Sequence, residues 1–232
     1  MALPKIKHPT YKVVIPSSKQ TINLRPFTVQ EEKLLLMAKA SEKSEDILAT
    51  VKQIIQNCIT EPVDVDKLAT FDIEYIFIKL RSKSIGEVVD LEYKENEEDE
   101  DTIKFRVNLE DIEVKFNKDH SNKIPVFDDV GIVMRYPTLE EVKILEQSDN
   151  EEENIFKILV SCIDTIYDND EVYSEYTEKE LEDFINSLPM ESMNKIKTFF
   201  ETMPAIEHTV KIKNAKGKVK EITLKGINSF FT

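Results

Sequence analysis

Arg25-Pro26-Phe27-Thr28, followed by Glu31 and by Leu34, Leu35 and Leu36, is answered later in the chain by Arg135-Tyr136-Pro137-Thr138, followed by Glu140, Glu141, Ile144 and Leu145. The two threonines stand 110 residues apart. A second pair of stretches, Ile54-Ile55-Gln56-Asn57-Cys58-Ile59 and Leu159-Val160-Ser161-Cys162-Ile163, is offset by 104 residues at its cysteines, a drift that different loop lengths produce. A unit that recurs in the same order predicts two related halves of one design.

Working outward from the first corner, Tyr11 to Ile15 and Thr21 to Leu24 alternate around Pro16-Ser17-Ser18-Lys19, the pattern of a hairpin. Thr28 stands as an N-cap with Glu31 three residues on, the spacing at which both side chains satisfy orphan amides, so a helix is expected over Val29 to Ala40. Ser44 caps a second helix whose Ile47, Leu48, Val51, Ile54, Ile55 and Cys58 form one apolar stripe ending at Pro62. A turn of helix over Asp64 to Ala69 leads to a third helix carrying Phe71, Tyr75, Ile76, Ile78 and Leu80 and stopped by Gly86. Strands at Val88 to Tyr93 and Thr102 to Val107 flank Glu95 to Asp101, all acidic but Asn96, whose mutual repulsion keeps it a solvated tip.

The second half predicts strands at Asp111 to Phe116 and Gly131 to Arg135, joined through an irregular Asn117 to Asp129 segment, and a helix capped by Thr138 with Glu141. Glu152 to Tyr167 reads as a buried helical run, Thr177 caps Glu178 to Ser187, and a helix from Met190 to Met203 presents Met193, Ile196, Phe199 and Phe200. His208 to Lys213 and Lys218 to Leu224 form a hairpin around Asn214-Ala215-Lys216-Gly217, made locally basic by its lysines. The fold class is therefore α+β: two pseudo-repeated halves, 1–110 and 111–232, each with small antiparallel hairpins packed against three or four helices.

With 45 acidic against 31 basic residues and a net charge of −14, the chain lacks the cationic footprint that nucleic-acid or anionic-membrane binding requires. No run of eighteen apolar residues occurs, and the chain reads as cytosolic. Cys58 and Cys162 read as small buried hydrophobes, a disulfide between them being permitted but not required. The four glycines are too dispersed to build a phosphate-binding loop. His8, His120 and His208 offer no metal-ligand spacing. Asp168-Asn169-Asp170 lacks the glycine and glutamate of a calcium loop, and Ser192-Met193-Asn194-Lys195 stands without the companion motifs of acyl transfer. Neither catalytic nor cofactor-binding residues are assigned.

In their order, Leu24 to Thr28 through Met37-Ala38-Lys39-Ala40, Ile54 to Ile59, Phe71-Asp72-Ile73-Glu74-Tyr75 through Lys79 to Ser84, Cys162 to Asp168, Phe199-Phe200-Glu201-Thr202-Met203-Pro204 and Leu224 to Phe231 carry a resemblance spanning nearly the whole chain. The chain resembles the baseplate hub assembly family of T-even-type contractile-tailed bacteriophages. The resemblance implies a non-enzymatic role in building the tail baseplate hub, either as an assembly factor that releases its client or as a retained subunit. It implies hub or tape-measure proteins as partners, in the host cytoplasm or the virion, and admits an oligomer. Two candidate partner surfaces follow. One is the basic terminal hairpin beside Ile227, Phe230 and Phe231, with Phe200 as a further aromatic contact. The other is the Arg25-Pro26-Phe27 corner with its counterpart Arg135-Tyr136.

Overall fold

The computed structural model describes residues 4, 6–40, 44–94, 102–146, 151–169, 171–213 and 219–230. They form an α+β chain of two compact units, one of Met1–Lys115 with Ala205–Thr232, the other of Phe116–Pro204. This grouping differs from a boundary near Glu110, because the chain returns at Ala205 to complete the first unit.

In the first unit, β1 (Tyr11–Val14) and β2 (Thr21–Leu24) form an antiparallel hairpin with Tyr11 opposite Leu24. Alternation buries Val13, Ile22 and Leu24 on one side. Helices α1 (Val29–Ala40) and α2 (Ser44–Cys58) follow, and α2 buries the stripe Val51, Ile54, Ile55 and Cys58 expected of it. The chain then comes back to β2 through a single bridge between Ile59 and Leu24.

Helix α3 (Thr70–Ser84) is the centre of this unit: Phe71, Ile73, Ile76, Phe77, Ile78 and Leu80 are all buried. A helix apolar on most of its circumference must be surrounded, and α3 is. Asp72 in its first turn accepts the backbone N–H of Ser17 at 2.9 Å, the Ser17 hydroxyl at 2.5 Å and the Ala69 N–H at 3.3 Å, which ties the β1–β2 turn to the helix start. Farther along, the buried Lys79 ammonium donates to the carbonyls of Leu109 and Glu110 at 3.2 and 2.6 Å. A buried ammonium needs such acceptors, and these fix the turn after β4.

Strands β3 (Val88–Tyr93) and β4 (Ile103–Asn108) pair antiparallel as expected; the acidic tip between them lies outside the described residues. β5 (Val114–Lys115) is shorter than the expected strand and pairs with β10 (Ala205–Lys213), which pairs in turn with β11 (Val219–Lys225). A 3-10 turn at Ile227–Phe230 closes the chain. Ile78, Val89, Leu91, Val107, Leu109, Ile112, Ile206 and Phe230 form one buried cluster.

The second unit is built on a four-stranded antiparallel sheet in the order β6 (Lys123–Phe127), β7 (Val130–Met134), β8 (Ile163–Asp168), β9 (Glu171–Tyr173). Helices α4 (Leu139–Glu146) and α5 (Glu151–Ser161) connect β7 to β8, and α6 (Glu178–Ser187) and α7 (Met190–Thr202) follow β9. Two local expectations are corrected. The segment read as irregular contains β6, whose Ile124 and Val126 alternate into the core while Pro125, lacking an N–H, sits on an edge strand. The run read as helix through Tyr167 stops at Ser161, and Ile163, Thr165 and Ile166 continue as a strand, the conformation that β-branched residues favour.

Gly131 in β7 is required for close approach rather than for backbone freedom. A methyl group there would collide with the ring of Tyr167 on the facing strand.

Candidate protein-protein interface

The two Arg-Thr-Glu corners share an arginine–glutamate pair and a threonine cap on the same glutamate, each inside its own unit. The Arg25 guanidinium donates to Glu31 Oε1 at 2.8 Å and to the Pro26 carbonyl at 3.0 Å. Glu31 Oε2 accepts the Thr28 N–H at 2.7 Å and hydroxyl at 2.5 Å. In the other unit the Arg135 guanidinium donates to Glu141 Oε1 at 2.5 Å and to the Ser161 carbonyl at 2.7 Å, and Glu141 Oε2 accepts the Thr138 N–H and hydroxyl at 2.8 and 2.7 Å. Burial alone would raise both carboxyls, but the arginine and threonine donors outweigh it, holding Glu31 down at about 2 and Glu141 below the usual range.

The corner residues proposed as partner contacts are therefore engaged at home. Arg25 and Arg135 hold their own helices, Phe27 is buried with its ring stacked on Phe77 at 6.5 Å, and Pro26 is half-buried. Tyr136 stacks on Phe199 at 5.7 Å and on His120 at 5.6 Å, packed against the core of its unit. Phe200 is half-buried and meets Phe199 edge-on at 5.1 Å.

The terminal apolar group is likewise docked. Phe230 is 1% exposed and Ile227 5%, and the Ile227 N–H donates to Glu74 on α3 at 3.1 Å. Burial raises the Glu74 carboxyl above its ordinary value. Phe231 lies outside the described residues, as does the hairpin turn 214–218. The basic character of the hairpin is offset across the strands: Lys211 pairs with Glu221 at 3.1 Å and Lys225 with Glu207 at 2.8 Å, flanking Thr209 and Thr223 at 3.1 Å. Lys220 on its other side lies over the Tyr93 ring at 5.1 Å.

An apolar surface does stand open, on α1. Only Glu31 and Ala38 of that helix are buried, Leu34 and Leu35 are half-buried, and Val29, Leu36 and Met37 are 73%, 58% and 71% exposed. The sequence carried the signal. Four consecutive apolar residues, Leu34 to Met37, span more of a helix circumference than one neighbouring helix covers. The Ser84 hydroxyl at the end of α3 accepts the Phe27 N–H at 3.0 Å, tying the chain just before α1 to that helix end.

The groups that could have suggested chemistry have structural positions. Ser192 is buried and its hydroxyl donates to the Val126 carbonyl at 2.7 Å, locking α7 to β6, while Lys195 pairs with Glu191. Cys58 and Cys162 are free buried thiols, each pushed up to about 11 by burial. Among the described residues no three His, Cys, Asp or Glu side chains converge as metal ligands, and no helix is long and apolar enough to cross a membrane.

The fold is that of a small α+β protein with an exposed apolar face on α1. The chain belongs to the T4 bacteriophage base plate protein family, whose model matches residues 8–232. It is 29% identical over 230 residues to the baseplate hub assembly protein gp26 of Enterobacteria phage T4, covering 95% of this chain and 97% of that relative. No solved structure matches it.

Proposed function

We propose that this protein is a non-enzymatic assembly factor for the hub of a contractile-tail baseplate, acting by holding hub or tape-measure proteins through direct contacts. The observation that carries this reading is the end-to-end match to a relative named as a baseplate hub assembly protein. Its structure fits that role. The buried ionisable groups Asp72, Lys79, Glu31 and Glu141 all serve to fix backbone, whereas Val29, Leu36 and Met37 of α1 stand exposed. Assembly would take place in the host cytoplasm.

The family description, a base plate protein, favours a second reading in which the chain stays in the finished particle. Quantitative mass spectrometry of purified virions, beside co-purification from infected cells, separates the two. An assembly factor is captured with hub components during infection and absent from virions; stoichiometric peptides in virions establish the retained subunit. Failure to co-purify with any hub or tape-measure protein would overturn both.

A further inference from the structure

The side of α1 turned away from its own unit carries Val29, Lys33, Leu36 and Ala40, separated by four, three and four residues, with Met37 alongside. All five are exposed. That alternation of three and four is the spacing of a helix–helix seam, because it keeps a side chain facing the neighbour on every turn. The opposite side, centred on Glu31 and Ala38, is occupied by the protein's own core. The unit thus covers one side of α1 and leaves the side with seam spacing in solvent.

Lys33 lies in the middle of the open seam, and among the described residues its ammonium has no ion-pair partner. Covering it with a purely apolar surface would strand a charge, so the complementary surface supplies a carboxylate at that point. A second copy of the chain is a poor occupant, since each copy carries a net charge of −14.

We propose that the Val29–Lys33–Leu36–Ala40 stripe of α1 receives an amphipathic helix of a partner protein, whose apolar ridge packs on Leu36 and Met37 and whose Asp or Glu meets Lys33. The proposal rests on the reading above that the chain works by binding other proteins. It adds where one partner sits and what its surface is made of.

The test uses the full chain and the hub or tape-measure protein that co-purifies with it. A photo-crosslinking residue at position 37 is expected to join a helical segment of that partner bearing an acid within its apolar face. Leu36→Asp with Met37→Asp is expected to abolish the complex. Lys33→Glu should weaken it on the order of tenfold and Lys33→Arg should largely preserve it. Because these side chains are exposed, the variants should keep the parent's circular dichroism and unfolding midpoint; if the double variant does not fold, the crosslink and the Lys33 pair decide. A complex undiminished by folded variants, or a crosslink to residues 116–204 of the same chain or to a second copy, overturns the seam and leaves the assembly reading standing. A parent chain that binds no such protein overturns both.

Discussion

The backbone N–H of Arg135 donates to the carbonyl of Cys162 at 2.8 Å, joining the residue that leaves β7 to the residue that enters β8. Arg25 and Cys58 make the same bond at 2.9 Å in the other unit, at the exit of β2 and the end of α2. In each case a hairpin and two helices lead back to the second hairpin strand, and this backbone hydrogen bond sits where the excursion closes. The arginine side chain then clamps a glutamate in the first turn of the next helix. The corner therefore acts as a latch between the start and end of a helical excursion.

Removing the latch carboxylate should destabilise its unit. Glu31→Ala leaves Arg25 without its partner and the Thr28 N–H without its acceptor, so a loss of roughly 2–3 kcal/mol is expected in denaturant unfolding. Glu141→Ala should cost a similar amount. Alanine in place of the exposed Arg106, whose partner Asp90 is 2.8 Å away in open solvent, should leave the midpoint unchanged, and equal effects at both kinds of site would refute the latch.

Acid should weaken the same latch. Glu31 has its carboxyl depressed to about 2 in the folded chain, so the folded state binds fewer protons than the unfolded one below the ordinary glutamate range. Its contribution is complete above about pH 4.5 and fades as the pH falls towards 2. Unfolding midpoints of the parent and Glu31→Gln, measured from pH 7 to 2, should converge at the acid end; a constant gap would contradict the assignment.

His120 should stay neutral to lower pH than an ordinary histidine, because burial lowers its pKa. The Thr202 hydroxyl donates to the Thr198 carbonyl at 2.7 Å, so His120 Nδ1 must be the donor towards Thr202 Oγ1 at 3.0 Å. Nε2 then accepts from the Tyr136 hydroxyl at 3.1 Å. Nitrogen chemical shifts at pH 7.5 should report the Nδ1–H tautomer, and stability of the Phe116–Pro204 unit should decline as pH drops below about 6.5. The Nε2–H tautomer would sink this reading.

Truncation at the C-terminus should behave as core damage. Phe230→Ala empties a site among Ile78, Val89 and Leu91 and should cost about 3–5 kcal/mol. Hydrogen exchange should then quicken in α3 and β3–β4 while the Phe116–Pro204 unit keeps its protection. Unaltered exchange in α3 would show that Phe230 is not packed there.

Gly131→Ala drives a methyl group into the Tyr167 ring and should destabilise the four-stranded sheet by about 1–3 kcal/mol. Gly131→Ala combined with Tyr167→Ala should recover part of that loss in thermal unfolding, since the second change removes the clashing ring; no recovery would place the cost elsewhere.

The sequence alone determined the local structure wherever the signal was local. The Thr28–Glu31 and Thr138–Glu141 capping pairs, the Thr177 cap, the apolar stripe of α2 and the alternation of β1, β2 and β3 appear where residue spacing put them, because caps and periodicity act within one or two turns of chain. It also named the family. Tertiary structure decided what the aromatics and charges at the chain end do. Ile227 and Phe230 read in sequence as apolar groups that must dock, on a partner or on the chain itself; the fold buries both in the first unit, because β10 pairs with β5 across some ninety intervening residues and no local pattern encodes that pairing. The run Leu34 to Met37 marked α1 as more apolar than one neighbour can cover, but the fold decided that Val29, Leu36 and Met37 face water, because which side of a helix is open depends on what the rest of the chain has already covered.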